Sequence, residues 1–142
     1  MKIWPLILFS FSYVTSPAQE AKIFSGDFYN KSNDIALHLN LLEETINIPG
    51  FSMLGPTNGY MNGNVYGTWI VTSFKIKDKT AIIRLSNDFG SETQEIAFKH
   101  VSADTFSLEM KSPQVMRKVV KRKLVKIPSK YLFIKKKQDQ LP

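Results

Sequence analysis

The chain has 142 residues, 19 Lys+Arg against 12 Asp+Glu for a net charge of +7, 43% hydrophobic residues and no cysteine. That is the size of one ordinary domain, and its apolar content excludes a disordered chain. The missing cysteines exclude a disulfide scaffold, a zinc-ribbon site and a lipid anchor on an N-terminal cysteine.

In chain order, Lys2 precedes an apolar run from Ile3 to Val14, and Ser16-Pro17-Ala18 follows with small residues where a signal peptidase reads. Residues 1–18 are therefore expected to be a cleaved signal peptide and 19–142 a single domain. The run is shorter than the ~20 apolar residues that span a bilayer, and no later segment reaches that length. Export without cysteines points to a bacterial periplasmic or secreted protein. In that setting the sequon Asn30-Lys31-Ser32 is read as chance.

Alternating apolar residues then recur, the mark of half-buried strands. The clearest set is Ile35, Leu37, Leu39 and Leu41. Other strands are expected over 21–30, 44–48, 66–77, 79–86, 93–101, 104–111 and 130–136. Asp78-Lys79, the Asn87 to Ser91 stretch and Ala103-Asp104 have the short polar character of hairpin turns. Short turns force antiparallel neighbours. The expected fold is all-β: an antiparallel up-and-down barrel, or a tight β-sandwich, of about seven to nine strands.

Residues 49–67 hold five of the seven glycines and are expected to form a loop. Its Phe51, Met53, Leu54, Tyr60, Met61 and Tyr66 are too apolar for full solvation. They would pack against a barrel end, either closing its bottom or acting as a lid over a small apolar or amphipathic ligand. Phe51, Met53, Tyr60, Met61 and Tyr66 are the candidate ligand contacts.

Charge is uneven. Residues 19–110 carry seven basic and eleven acidic residues, whereas 111–137 carry eleven basic residues and no acid. Lys118, Lys121, Arg122, Lys123, Lys135, Lys136 and Lys137 are the candidate basic surface, for an anionic glycan or lipid partner. Lysines that protect strand edges explain the same block without a partner. A nucleic-acid partner is not expected, because only Tyr131 and Phe133 are interleaved with the charges. Within the block, Ser112-Pro113 followed by Val115, Met116, Val119, Val120 and Leu124 fits a basic amphipathic helix. Two strands over 115–120 and 124–127, turning around Lys121–Lys123, fit the valine content better.

Nothing assembles a reaction centre. His38 falls on the polar face of its strand, and His100 shares parity with Ile96 and Phe98. The carboxylates Asp27, Asp34, Glu43, Glu44 and Glu95 are not paired by spacing. Asn87 to Glu92 lacks the alternating acids of a calcium loop. No nucleophile elbow or phosphate loop is present. No metal or cofactor is expected. The remaining enzymatic option is His100 acting with a carboxylate in an open cleft.

Gly67-Thr68-Trp69, continued by Ile70-Val71-Thr72-Ser73-Phe74, resembles the Gly-x-Trp motif that opens the first strand of lipocalins. The motif lies mid-chain here, which favours a small calycin-like barrel, or an unrelated small barrel, over a full lipocalin. The resemblance implies an up-and-down barrel holding one small apolar ligand, with Trp69 closing a barrel end. The expected function is thus non-enzymatic binding by an exported protein, through a barrel mouth or through the basic C-terminal face. Ligand identity and oligomeric state are left open by the sequence.

Overall fold

In the computed structural model, which describes residues 16–137, the alternating segments form a closed eight-stranded barrel. A short helix α1 (Pro17–Ile23) leads into β1 (Gly26–Asn30) and β2 (Ile35–Leu39). There follow β3 (Gly59–Gly63), β4 (Trp69–Lys77), β5 (Thr80–Asn87), β6 (Thr93–Ser102) and β7 (Thr105–Met110). The basic segment supplies β8 (Arg117–Val120), β9 (Lys123–Lys126) and β10 (Lys130–Lys135). Strands β1 to β7 pair in sequence order, and β10 closes the ring between β7 and β1, every pair antiparallel. β8 and β9 form a separate two-stranded hairpin. The barrel is the expected up-and-down meander, and its closure decides against a sandwich.

The parity of each strand sorts the core. Leu37 and Leu39 in β2, Ile83 and Leu85 in β5, and Ile96 and Phe98 in β6 are fully buried inside, while Arg84, Glu95 and Lys99 face out. An aromatic cluster fills the centre. Phe28 meets Phe98 and Phe106 edge-on at 4.9 and 4.7 Å, and Phe98 stacks on Phe106 at 5.1 Å. These are the separations at which aromatic pairs attract beyond area burial.

Both barrel ends are plugged. At one, Ser16 caps α1 by accepting from the Gln19 N–H, and the helix drops Ala21 and the adjacent Phe24 inward. The Phe24 ring lies 6.0 Å from Phe106. At the other, Met116 and Ile127 flank the base of the β8–β9 hairpin and are buried with Val65 and Trp69. The buried side chain of Gln94 ties this crossing down. It donates to the Lys111 carbonyl at 2.9 Å and accepts from the Val115 N–H at 2.7 Å.

Three expectations are corrected. The stretch 21–30 is not one strand: Pro17 at the helix start with a capping serine makes 17–23 helical, and β1 begins only at Gly26. The stretch 44–48 contributes one isolated bridge, Ile46 to Thr57, within the long β2–β3 connection. The expected 49–67 loop contains β3. Its glycines are there because β2 presses close: a Cβ on Gly59 would lie 2.1 Å from the His38 carbonyl oxygen, and one on Gly63 2.3 Å from that of Asp34. Glycine inside a strand marks such close backbone approach. In the basic block the two favoured strands form, turning at Lys121–Arg122, and the alternative amphipathic helix does not. The expected processing point falls inside α1, and residues 1–15 of the expected 1–18 signal peptide lie outside the described residues.

Candidate functional site

The five apolar loop residues are not brought together. Phe51 and Met53 sit in the β2–β3 connection at the α1 end, Met53 being almost fully exposed. Tyr66 lies at the hairpin end, stacked on Phe89 at 5.5 Å. Met61 points into the core of β3 with no exposed surface, and Tyr60, one residue away, faces the outer wall. Trp69 is buried at the hairpin end, and its Nε1–H donates to the Tyr66 carbonyl.

The basic block divides into two groups separated by the length of β10, about 20 Å at strand rise. The first is the hairpin. Arg117, Lys118, Lys121, Arg122, Lys123 and Lys126 crowd ten residues, and none of the six ion-pairs with a carboxylate among the described residues. Its turn puts Lys121 (φ 51°) and Arg122 (φ 66°) in left-handed conformation. Two-residue hairpin turns favour Asn-Gly there, so two ordinary side chains cost about 1 kcal/mol each. Cross-strand pairing sets Val119 against Leu124, 50% and 52% exposed, beside the Arg117–Lys126 pair. The hairpin is thus cationic with an uncovered aliphatic patch.

The second group is Lys135 to Lys137 at the α1 end, and it is partly committed to the fold. Lys135 shares the inward parity of Tyr131 and Phe133. Its Nζ reaches the Ile23 carbonyl at 3.1 Å, passing 5.7 Å from the Phe28 ring centre. Burial lowers its pKa, Lys22 adds to the lowering and Asp104 opposes it. Lys137 lies 3.9 Å from the Asp104 carboxylate.

His100 keeps the inward parity expected of it, whereas His38 does not stay solvated. The His100 ring nitrogen Nε2 pairs with the Ala103 carbonyl at 2.9 Å, and the ring packs 4.8 Å from Phe106. Among the described residues it meets no carboxylate. His38, expected to be solvated, is held 2.7 Å from the Asp27 carboxylate, with its side chain 19% exposed. Tyr60 lies over its ring at 4.8 Å and Tyr29 meets it edge-on at 6.0 Å. Register makes this group: Asp27 opposes His38 across β1–β2, and His38 opposes Tyr60 across β2–β3. Pairing those strands was the one signal that would have found it.

Burial and the nearby Asp27 charge raise the pKa of Tyr29 and Tyr60, and burial raises that of Tyr131. A raised tyrosine keeps its proton in the folded state after the unfolded chain has ionised at about pH 10. Stability therefore falls as pH climbs past about 10. Lys135 works oppositely, adding stability as pH rises towards its unfolded value of about 10.4. Urea midpoints taken from pH 8 to 11 are expected to decline above pH 10, and Tyr29→Phe with Tyr60→Phe to flatten the decline. An unchanged slope would show that these two rings do not carry it.

A surface groove of about 950 Å³ runs along the outside of β10, lined by Tyr29, Lys31, Lys130, Leu132, Ile134 and Lys136 among others. Among the described residues, no three His, Cys, Asp or Glu side chains gather to hold a metal ion. No helix there is long and apolar enough to cross a membrane. Comparison with protein families, curated proteins and solved structures finds no match for this chain.

Proposed function

We propose that this is an exported, non-enzymatic binding protein that docks on anionic lipid surfaces through the β8–β9 hairpin. The observation that carries the reading is the hairpin's composition: six cations with no ion-pair partner among the described residues crowd it, and the uncovered Val119–Leu124 pair shares a face with Arg117 and Lys126. Cations near an anionic leaflet contribute about 1 kcal/mol each, and exposed aliphatics add by insertion. The apolar pair favours a bilayer over a glycan, to which it would add nothing. The plugged barrel ends and aromatic-filled centre weigh against a ligand held in a barrel mouth. The leader-like N-terminus supports export. The closed eight-stranded barrel, with Trp69 buried at one end, supports kinship with small exported lipocalin-like barrels.

Flotation with phosphatidylglycerol vesicles tests the reading. Binding is expected to weaken steeply with salt and to be absent from phosphatidylcholine vesicles. Lys121→Glu, Arg122→Glu and Lys123→Glu together are expected to lower partition by about a hundredfold or more, as three lost charges imply. All three side chains are exposed, so the barrel should survive them. Salt-independent binding, equal binding to neutral vesicles or no binding would overturn the proposal.

A further inference from the structure

A second binding surface follows from how the barrel closes, and it does not depend on the hairpin. β1 meets β10 over two residue pairs, Phe28 with Lys135 and Tyr29 with Ile134. The chain then turns away at Lys31, and β10 continues towards Lys130 paired with β7 but no longer with β1. In place of a continuing strand, the Asn30 side chain donates to the Leu132 carbonyl at 2.8 Å. Asn30 is itself fixed by accepting from the Ser32 hydroxyl and the Asn33 N–H.

This leaves the groove along β10. Leu132 and Ile134 point outward from its floor, 61% and 52% exposed, with Tyr29 beside them. Cations stand at both ends, Lys31 with Lys130 at one and Lys136 with Lys137 at the other. Asp104, the one carboxylate in the lining among the described residues, is at the second end and already faces Lys137. Glu109 opposes Lys130 across the strand pair from β7, without ion-pairing to it. The Lys31–Lys130 end is therefore a cationic head site beside an apolar track.

We infer that the β10 groove binds an anionic amphiphile, its alkyl chain on Tyr29, Leu132 and Ile134 and its carboxylate or phosphate head at Lys31 and Lys130. An apolar floor would take a chain of any charge, and the flanking lysines select an anionic head. The site lies on the outer wall, away from the filled interior.

The experiment uses laurate and dodecyl phosphate, below micelle formation, titrated into the full chain and followed by amide and methyl chemical shifts. Saturable shifts centred on Tyr29, Leu132 and Ile134 are expected, and the tighter of the two probes tells a fatty acid from a phosphorylated lipid. Ile134→Asp is expected to weaken binding about tenfold or more, the value of one lost aliphatic contact. Lys31→Ala with Lys130→Ala should remove the preference over dodecanol. The hairpin triple variant should bind both probes normally, so failure of the lipid-surface reading would leave this one intact. Three results would overturn the inference: no saturable shift, an equal response to inorganic phosphate alone, or equal affinity for dodecanol. Shifts at β10 that follow protein concentration without any probe would also overturn it, because a second copy of the chain would then cover the groove.

Discussion

Truncation of Phe98 to alanine is expected to remove about 3–5 kcal/mol of folding stability, the range for large core aromatics. Domains of this kind hold only about 5–15 kcal/mol in total. Phe98 stands at the crossing of the aromatic cluster, 4.9 Å from Phe28, 5.1 Å from Phe106 and 6.0 Å from Phe133, with no exposed surface. It also touches the plug, since Phe24 lies 6.2 Å away. The loss combines transfer of the ring to water with a cavity that closed barrel walls cannot collapse around. A urea midpoint much lower at unchanged slope would confirm it. A loss below about 1 kcal/mol, ordinary for a surface change, would mean that the cluster is not the barrel's main support.

Gln94 is the second position where one side chain has a large effect. Its amide nitrogen donates to the Glu95 and Lys111 carbonyls, and its oxygen accepts from the Val115 and Met116 N–H groups. The Glu95 carbonyl keeps the Lys111 N–H as a partner, but Gln94→Ala removes the partner of the part-buried Lys111 carbonyl and Val115 N–H and of the buried Met116 N–H, at about 1–3 kcal/mol for each group left stranded. Hydrogen exchange at the Val115 amide should speed up together with the fall in stability. Gln94→Glu separates this from mere loss of volume. An ionised carboxylate still accepts from Val115 but is repelled by the two carbonyls, whereas the protonated form can donate to one of them. The folded state thus holds that proton more tightly than the unfolded chain, and stability should fall as pH rises through about 4.3. A pH-independent Gln94→Glu variant would show that the carbonyl contacts are not felt.

Strand periodicity made the barrel legible in the sequence wherever inward residues alternate without interruption, as in β5, β6 and β7. It failed where a second constraint overrode composition. In β3 the glycines that suggest a loop are what lets the strand lie against β2, a fact about a neighbouring backbone that one segment cannot reveal. At the N-terminus a capping serine and Pro17 outweighed a weak alternation. The candidate surfaces divide the same way. The hairpin's charge is visible as composition, because no acid interrupts it. The division of the lysines, and the pairing of His38 with Asp27, depend on register and on which end of the barrel each strand reaches. Lys135 shows the difference most clearly: by composition it belongs to a basic patch, by parity to the barrel interior.

The short seam between β1 and β10 also bears on how the chain reaches its final form. β2 to β7 each pair with the strand just before them, so that part of the wall grows by local hairpins as the sequence proceeds. Phe28 and Lys135, by contrast, must find each other across roughly a hundred residues, a closure that costs on the order of 4 kcal/mol of chain entropy. With that seam unformed, the remaining pairings describe a curved open sheet with two bare edges, the arrangement in which sheets join other sheets. The outward Lys130 and the flanking Lys136 guard the later edge, and Asp27 interrupts the earlier one. The charges at the seam thereby keep unfinished chains apart for as long as the ring stands open.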